Sequence, residues 1–171
     1  EPVDPVRVLT NRSSGKMGYA IAEAARDRGA KVTLVSASNL PDPAAVDVKK
    51  VQTVAEMRSA VLNACADATV VIMAAAVSDF RPAEIASQKV KKSNDLEELE
   101  LNLIKNADFF LEIPDGVLRV GFAAETEDLI ANAKLKIRDK GLALIAANDV
   151  TEPGSGFNTD TNQVTLIDYT G

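Results

Sequence analysis

"VRVLTNRSSGKMGYAIAEAARDRGAKVTLVS" (residues 6–36) decides the fold class. A short apolar run, Val6, Val8 and Leu9, leads into a Gly- and Ser-rich turn, "NRSSGKMG" (11–18). Residues 17–28 then place Met17, Ala20, Ile21, Ala24 and Ala25 on one face of a helix. Gly29 supplies a left-handed stop, and "KVTLVS" (31–36) reads as a strand. The spacing predicts a βαβ unit whose turn holds an anionic group against the start of the helix. Gly15 and Gly18 there let backbone N–H groups come close to that group.

The same logic extends along the chain. Thr53 and Glu56 have capping-box spacing for a second helix, with Val54, Met57, Val61 and Cys65 turned inward. "TVVIMAAAV" (69–77) is continuously apolar, as a central parallel strand buried on both faces should be. Further strands are predicted at 118–123, 142–147 and 163–168, with a lysine-rich helix over 127–140. Strands alternating with helices give an α/β protein with a doubly wound, mostly parallel sheet. One segment stands apart. "KVKKSNDLEELELNLIKN" (89–106) alternates at Leu99, Leu101 and Leu103 around a Ser-Asn-Asp turn. It predicts a projecting β-hairpin arm over about 86–104, which covers a site or pairs with a second subunit.

Composition removes several chemistries. The 171 residues suit one domain with a proper core. There is no histidine and one cysteine, so Ser-His and Cys-His nucleophile pairs and His-based zinc sites are excluded. The lone Cys65, on an apolar helix face, reads as core, and it suits a reducing, cytoplasmic compartment. A net charge of −6 argues against nucleic acid as the partner. No apolar run approaches the roughly 18 residues of a membrane span. Any bound anion must therefore be met by lysines gathered locally.

In open α/β sheets, ligands sit outside the carboxyl ends of the strands. Four polar segments are expected there: "TNRSSGKMG" (10–18), "VSDFRP" (77–82), "GFAAET" (121–126) and "AND" (147–149). The first is not a Walker A loop, because Gly15-Lys16 is followed by Met17. It comes nearer the dinucleotide loop of short-chain dehydrogenases, which makes an NAD(P)-dependent reductase one rival reading. Against it, the second strand ends in "VSAS" with no ribose-binding carboxylate, and neither Tyr19 nor Tyr169 has a lysine four residues on. Asp79 lies just past an apolar strand, either paired with Arg81 or capping a turn, or else positioned to hold a nucleotide-bound Mg²⁺ or to contact the nucleotide directly. Lys136 and Lys140 share a helix face and, with Lys89, Lys91, Lys92 and Lys105, could neutralise a nucleoside triphosphate. Phe109 and Phe110 read as core.

Taken in order, "EPVDPVRVLTNRSSGKMGYAIAEAARDRGAKVTLVS", "AAAVSDFRP", "KVKK", "LIKNADFF", "VGFAAET", "AKLKIRDKG", "AAND" and "GFNTDTNQVTLI" resemble the phosphopantothenoylcysteine synthetase family over nearly the whole chain. The resemblance implies a Rossmann-like fold and a CTP-dependent ligase of coenzyme A biosynthesis. In that family 4′-phosphopantothenate is activated as an acyl-cytidylate with loss of pyrophosphate. Cysteine then displaces CMP. The family motifs imply catalytic roles for Asn11, at the acyl intermediate, and for Lys89, the arm lysine that closes over the phosphates. They imply nucleotide contacts from Asp79, Lys89, Asn106, Ala107, Asp108, Phe109, Phe122, Lys136 and Lys140. Mg²⁺ on Asp79 is an addition to that set. The resemblance further implies a homodimer through the arm and, in many bacterial homologues, fusion to a flavin-dependent decarboxylase.

Two departures from the family stand out. Ala107 replaces a proline, and Glu1 is all that remains of the family's amino-terminal strand and Gly-rich loop. The expectation is a single ligase domain over 1–171 lacking that strand and loop, with a catalytically incomplete nucleotide-binding module as the second rival.

Overall fold

The structure, a computed structural model, describes residues 1–91, 98–125, 127–149, 151 and 161–170. Lys92 and the adjoining arm to residue 97, Thr126 of "GFAAET" and residues 156–160 of "GFNTDTNQVTLI" lie outside the described residues.

The fold is Rossmann-like α/β. Helix α1 (Lys16–Asp27) precedes strands β1 (Thr33–Ser36) and β2 (Asp47–Lys50), which pair in parallel. After α2 (Val54–Ala64) come β3 (Val70–Met73) and a short antiparallel ribbon, β4 (Phe80–Pro82) with β5 (Leu103–Lys105). A 3-10 turn (Phe109–Glu112) leads to β6 (Leu118–Glu125), α3 (Leu129–Lys140), β7 (Leu144–Asp149) and β8 (Thr165–Asp168). The main sheet runs β3-β6-β7-β8; its first two pairings are parallel, while β8 lies antiparallel to β7.

The core sits beneath this sheet. Ala133 and Ile137, one turn apart on α3, bury against it with Ile145, Ala147 and Ile167. Met57, Val61 and Cys65 of α2 join the same cluster, with Phe109, Phe110 and Ile113. The predicted capping box on α2 is present: Thr53 Oγ1 accepts from the Glu56 N–H at 3.1 Å, and Glu56 reaches back to the Thr53 N–H. Apolar spacing and cap chemistry agree here, so the helix reads cleanly from sequence.

The amino-terminal reading needs correction. Residues 6–9 form no strand; Val8 makes only an isolated bridge to Pro2, and Val6 and Val8 are exposed. The cause is local. Asp4 Oδ1 accepts from the N–H groups of Val6 and Arg7, both at 2.8 Å, folding the chain into a turn where the apolar pattern predicts extension. The expected βαβ unit is thus a turn followed by α1 and β1. On α1 the buried residues are Tyr19 and Ala22, while Ala20 and Ala24 face solvent. Tyr19 buries its ring because its hydroxyl has a partner, Lys50 Nζ at 2.7 Å.

Strand β3 is shorter than the predicted run and lies at a sheet edge among the described strands, with Val70 and Ile72 exposed; strand β2 was not predicted. "AND" (147–149) falls within β7 rather than after it. The arm's ribbon starts earlier than predicted, at Phe80, and of its three alternating leucines Leu103 alone is in a strand.

Candidate nucleotide site

A cavity of about 530 Å³ opens beyond the end of β3, between the β4–β5 base, the 3-10 turn, β6 and α3. Asp79, Asn106, Ala107 and Asp108 line it, as do Phe109, Phe122, Lys136 and Lys140. The nucleotide-site residues implied by the family motifs, Lys89 excepted, therefore surround one space. Lys105 adds a further cation to its wall. Of "AND", Ala147 and Asn148 are not among its lining residues.

The loop from β3 is pinned by Asn106, which is buried. Its Nδ2 donates to the Ser78 carbonyl at 2.9 Å, and its N–H donates to the Asp79 carbonyl at 2.8 Å. Its Oδ1 accepts from Arg81 Nη1 at 2.8 Å. With those bonds made, the Asn106 side chain shapes the wall and keeps one amide N–H and one oxygen lone pair uncommitted among the described residues. Arg81 therefore bonds Asn106 and the Lys105 carbonyl rather than Asp79. The partnership was invisible in the sequence because the two residues meet across the β4–β5 ribbon.

Both helix lysines already have partners. Lys136 Nζ lies 2.5 Å from Glu125 Oε1, and Lys140 Nζ lies 2.8 Å from Asp108 Oδ2. Glu125 also accepts from Asn132 Nδ2 at 3.3 Å, and Asp108 caps the 3-10 turn through the Phe110 N–H. These half-exposed pairs hold the lysines in place at modest energetic cost, and a polyanion can draw them off their carboxylates. Phe109 is core, as predicted, and also borders the cavity; Phe122 is half-buried.

The Asp79 carboxylate is exposed and makes no ion pair or side-chain hydrogen bond among the described residues. No group of three potential metal ligands occurs among those residues. The donor set thus fits a hard cation shared with substrate phosphates, and does not fit one caged by protein.

Asn11 and Lys89 lie outside the lining. Asn11 Nδ2 donates to the carbonyls of Ala76 at 3.1 Å and Val77 at 3.4 Å, both of which line the cavity, so this loop is latched to the wall. Lys89 is exposed on the arm. Of the glycines, Gly15 stands at φ +79° with Ser38 Cβ 2.7 Å from where its own Cβ would lie, whereas Gly18 has no such neighbour among the described residues. Tyr19, the reductase reading's candidate, is buried under Lys50 and is absent from the cavity wall.

The family described as DNA/pantothenate metabolism flavoprotein C-terminal domain matches residues 1–171. The chain belongs to that family. This bears out the resemblance to phosphopantothenoylcysteine synthetases that the ordered motifs carry. The family's relatives include the coenzyme A biosynthesis bifunctional protein CoaBC of Vibrio vulnificus (strain YJ016), 46% identical over 97% of this chain and 43% of that protein. The protein of the same description from Escherichia coli (strain K12) is 44% identical over 98% of this chain and 43% of that one. The chain spans less than half the length of these curated relatives. Among solved structures, the C-terminal domain of a CoaBC protein superposes with a TM-score of 0.80 at 36% identity, over all of this chain and 77% of that one. No helix among the described residues is long and apolar enough to cross a membrane.

Proposed function

We propose that this domain joins 4′-phosphopantothenate to cysteine at the expense of CTP. The observation that carries the reading is the single cavity at the end of β3 in which Asp79, Lys105, Lys136 and Lys140 converge. The names of the relatives support a role in coenzyme A biosynthesis.

A carboxylate does not react with an amine until one of its oxygens becomes part of a good leaving group. In the first step a carboxylate oxygen of 4′-phosphopantothenate attacks the α-phosphorus of CTP, and the bond to the β-phosphate oxygen breaks. Pyrophosphate leaves. In the second step the cysteine amine attacks the acyl carbon, the acyl–oxygen bond to CMP breaks, and the nitrogen gives up a proton.

The chain's own groups serve charge and orientation. Lys136 and Lys140 exchange Glu125 and Asp108 for the phosphates, and Lys89 on the arm closes over the departing pyrophosphate. Asn11 turns one amide N–H from the Ala76–Val77 carbonyls to the oxyanion of the second step. Asp79 with the phosphates would hold Mg²⁺, which offsets anionic charge when bound. Two copies pair through the arm, whose Phe80, Leu101, Leu103 and Ile104 are exposed.

The test is pyrophosphate release with Mg²⁺, CTP and 4′-phosphopantothenate, followed by addition of cysteine and mass spectrometry of the product. The reading expects pyrophosphate first, then amide and CMP. CTP binding without release would instead establish the incomplete nucleotide-binding module.

A further inference from the structure

The most thoroughly enclosed charge among the described residues lies outside the cavity lining. Asp4 is 2% exposed, and both of its carboxylate oxygens are engaged. Oδ1 accepts from the backbone N–H groups of Val6 and Arg7, each at 2.8 Å. Oδ2 accepts from Arg7 Nη1 at 2.5 Å and from the backbone N–H of Val90 at 3.2 Å. Val90 belongs to the arm, 86 residues along the chain. The tie is doubled: Arg7 Nη1 also donates to the Val90 carbonyl at 3.1 Å, and the Ala86 N–H donates to the Val3 carbonyl at 3.0 Å. Residues 3–7 thus grip residues 86–90 at both ends.

Lys89 directly precedes the gripped residue, and its own side chain is exposed. On the other side, the turn that Asp4 folds runs on to Asn11, which is latched to Ala76 and Val77 of the cavity wall. Lys89 is therefore referenced directly to the buried carboxylate, whereas Asn11 follows four residues after Arg7 and is held by its own bonds. A buried carboxylate with every bond made is costly to leave half-satisfied, so it fixes geometry more firmly than exposed contacts do.

We propose that Asp4 is a positioning residue that clasps the start of the arm, through Val90, so that Lys89 is presented to the reacting phosphates. The inference rests on the ligase reading above. Asp4 touches no substrate itself; it acts through Lys89. Without the clasp, Lys89 samples many positions, and the cost falls on turnover rather than on nucleotide binding in the cavity.

Asp4→Asn isolates this role. It keeps the shape and one acceptor oxygen, but its –NH₂ must face a pair of N–H donors, at Val90 and Arg7 or at Val6 and Arg7. We expect pyrophosphate release to fall by at least about tenfold in kcat, with KM for CTP unchanged within about twofold. In a Lys89→Gln background the same substitution should change the rate by less than about twofold, because the clasp acts through that lysine.

Wild-type release in Asp4→Asn alongside loss in Lys89→Gln overturns the clasp and leaves the ligase reading standing. So does an undiminished further loss in the double variant. Wild-type release in Lys89→Gln overturns the arm-lysine assignment and the clasp with it, and no release by the unaltered chain overturns the ligase reading and what rests on it. Should Asp4→Asn fail to fold, amide hydrogen exchange of the unaltered chain decides: a Val90 amide exchanging as fast as an exposed one sinks the proposal, and a protected one supports it.

Discussion

The α3 side of the candidate site and the amino-terminal side are built on different principles. On the first, Phe122, Lys136 and Lys140 stand on a regular strand and helix whose backbones are fixed by ladders and by the buried Ala133 and Ile137. On the second, Asn11 and Lys89 stand on segments outside regular structure, held by side-chain-to-backbone bonds from Asn11 itself and from Asp4. Secondary structure places a group whatever its neighbours do. A loop places one only while a few particular bonds survive. The first side should therefore tolerate substitution with graded losses in affinity, and the second should fail abruptly in turnover.

Asn11→Ala gives the largest effect this contrast predicts. It removes both the latch and the amide donor, and amide formation should slow by about 10²–10³, the usual cost of losing one oxyanion donor. CTP affinity should change little, since the cavity lining is intact. A variant that forms amide at the wild-type rate would break the distinction between the two sides, and rapid-quench measurement of the second step reads it directly.

On the other side, Lys136→Met should weaken CTP binding by about tenfold, equivalent to about 1.4 kcal/mol, and leave the remaining affinity less sensitive to salt than in wild type. Global stability should shift by less than about 1 kcal/mol, because the Glu125 pair is partly solvated. Isothermal titration at two salt concentrations separates the outcomes. Unchanged affinity would remove Lys136 from the nucleotide site.

The sequence was most legible where local chemistry and periodicity agreed. Thr53 with Glu56 announced α2, and β6, α3 and β8 fall close to where alternation and helical spacing put them. The cavity-lining residues were within reach because each belongs to a short ordered motif. What failed did so for stated reasons. Val6, Val8 and Leu9 look like a strand, but Asp4 captures the Val6 and Arg7 amides and bends the chain away. Val70 to Met73 look buried on both faces, but β3 is paired on one edge alone among the described strands. The partners of Lys136, Lys140 and Asn106 are tertiary choices with no local signature. A capping box can be read from spacing of three residues; a carboxylate that meets an amide 86 residues away cannot.

Acidification tests that distant carboxylate without mutation. Burial works to raise the Asp4 carboxyl, but the amides of Val6, Val90 and Arg7 and the Arg7 side chain outweigh it, lowering it from the ordinary 3.8 to about 2. A carboxyl depressed by folding stabilises the native state fully above its unfolded pKa, and that contribution is lost as pH falls through the folded value. The clasp should accordingly hold at pH 5 and be lost progressively between about pH 4 and pH 2. Thermal unfolding followed across that window should show a fall in wild type that is shallower in Asp4→Asn. Equal slopes would mean that Asp4 is not held as the hydrogen bonds indicate.

The smallest effect, at Gly18, sharpens the comparison at the turn where the amino-terminal side meets α1. Gly15 and Gly18 look equivalent in "NRSSGKMG", and the structure makes them opposites. Gly15 takes a left-handed φ of +79° against Ser38, so Gly15→Ala should cost about 1–3 kcal/mol in backbone strain alone. Gly18 lies inside α1 with nothing among the described residues within 4 Å of where a Cβ would lie, so Gly18→Ala should stabilise by about 0.5–1 kcal/mol. For a chain of this size that is a Tm rise of about 1–4 °C by calorimetry. If Gly18 is there to let a phosphate reach the first helical turn, the same variant should raise KM for 4′-phosphopantothenate while the protein grows more stable. Higher stability with an unchanged KM would mean that the anion is held elsewhere, and that the loop's glycines serve the chain's own turn alone.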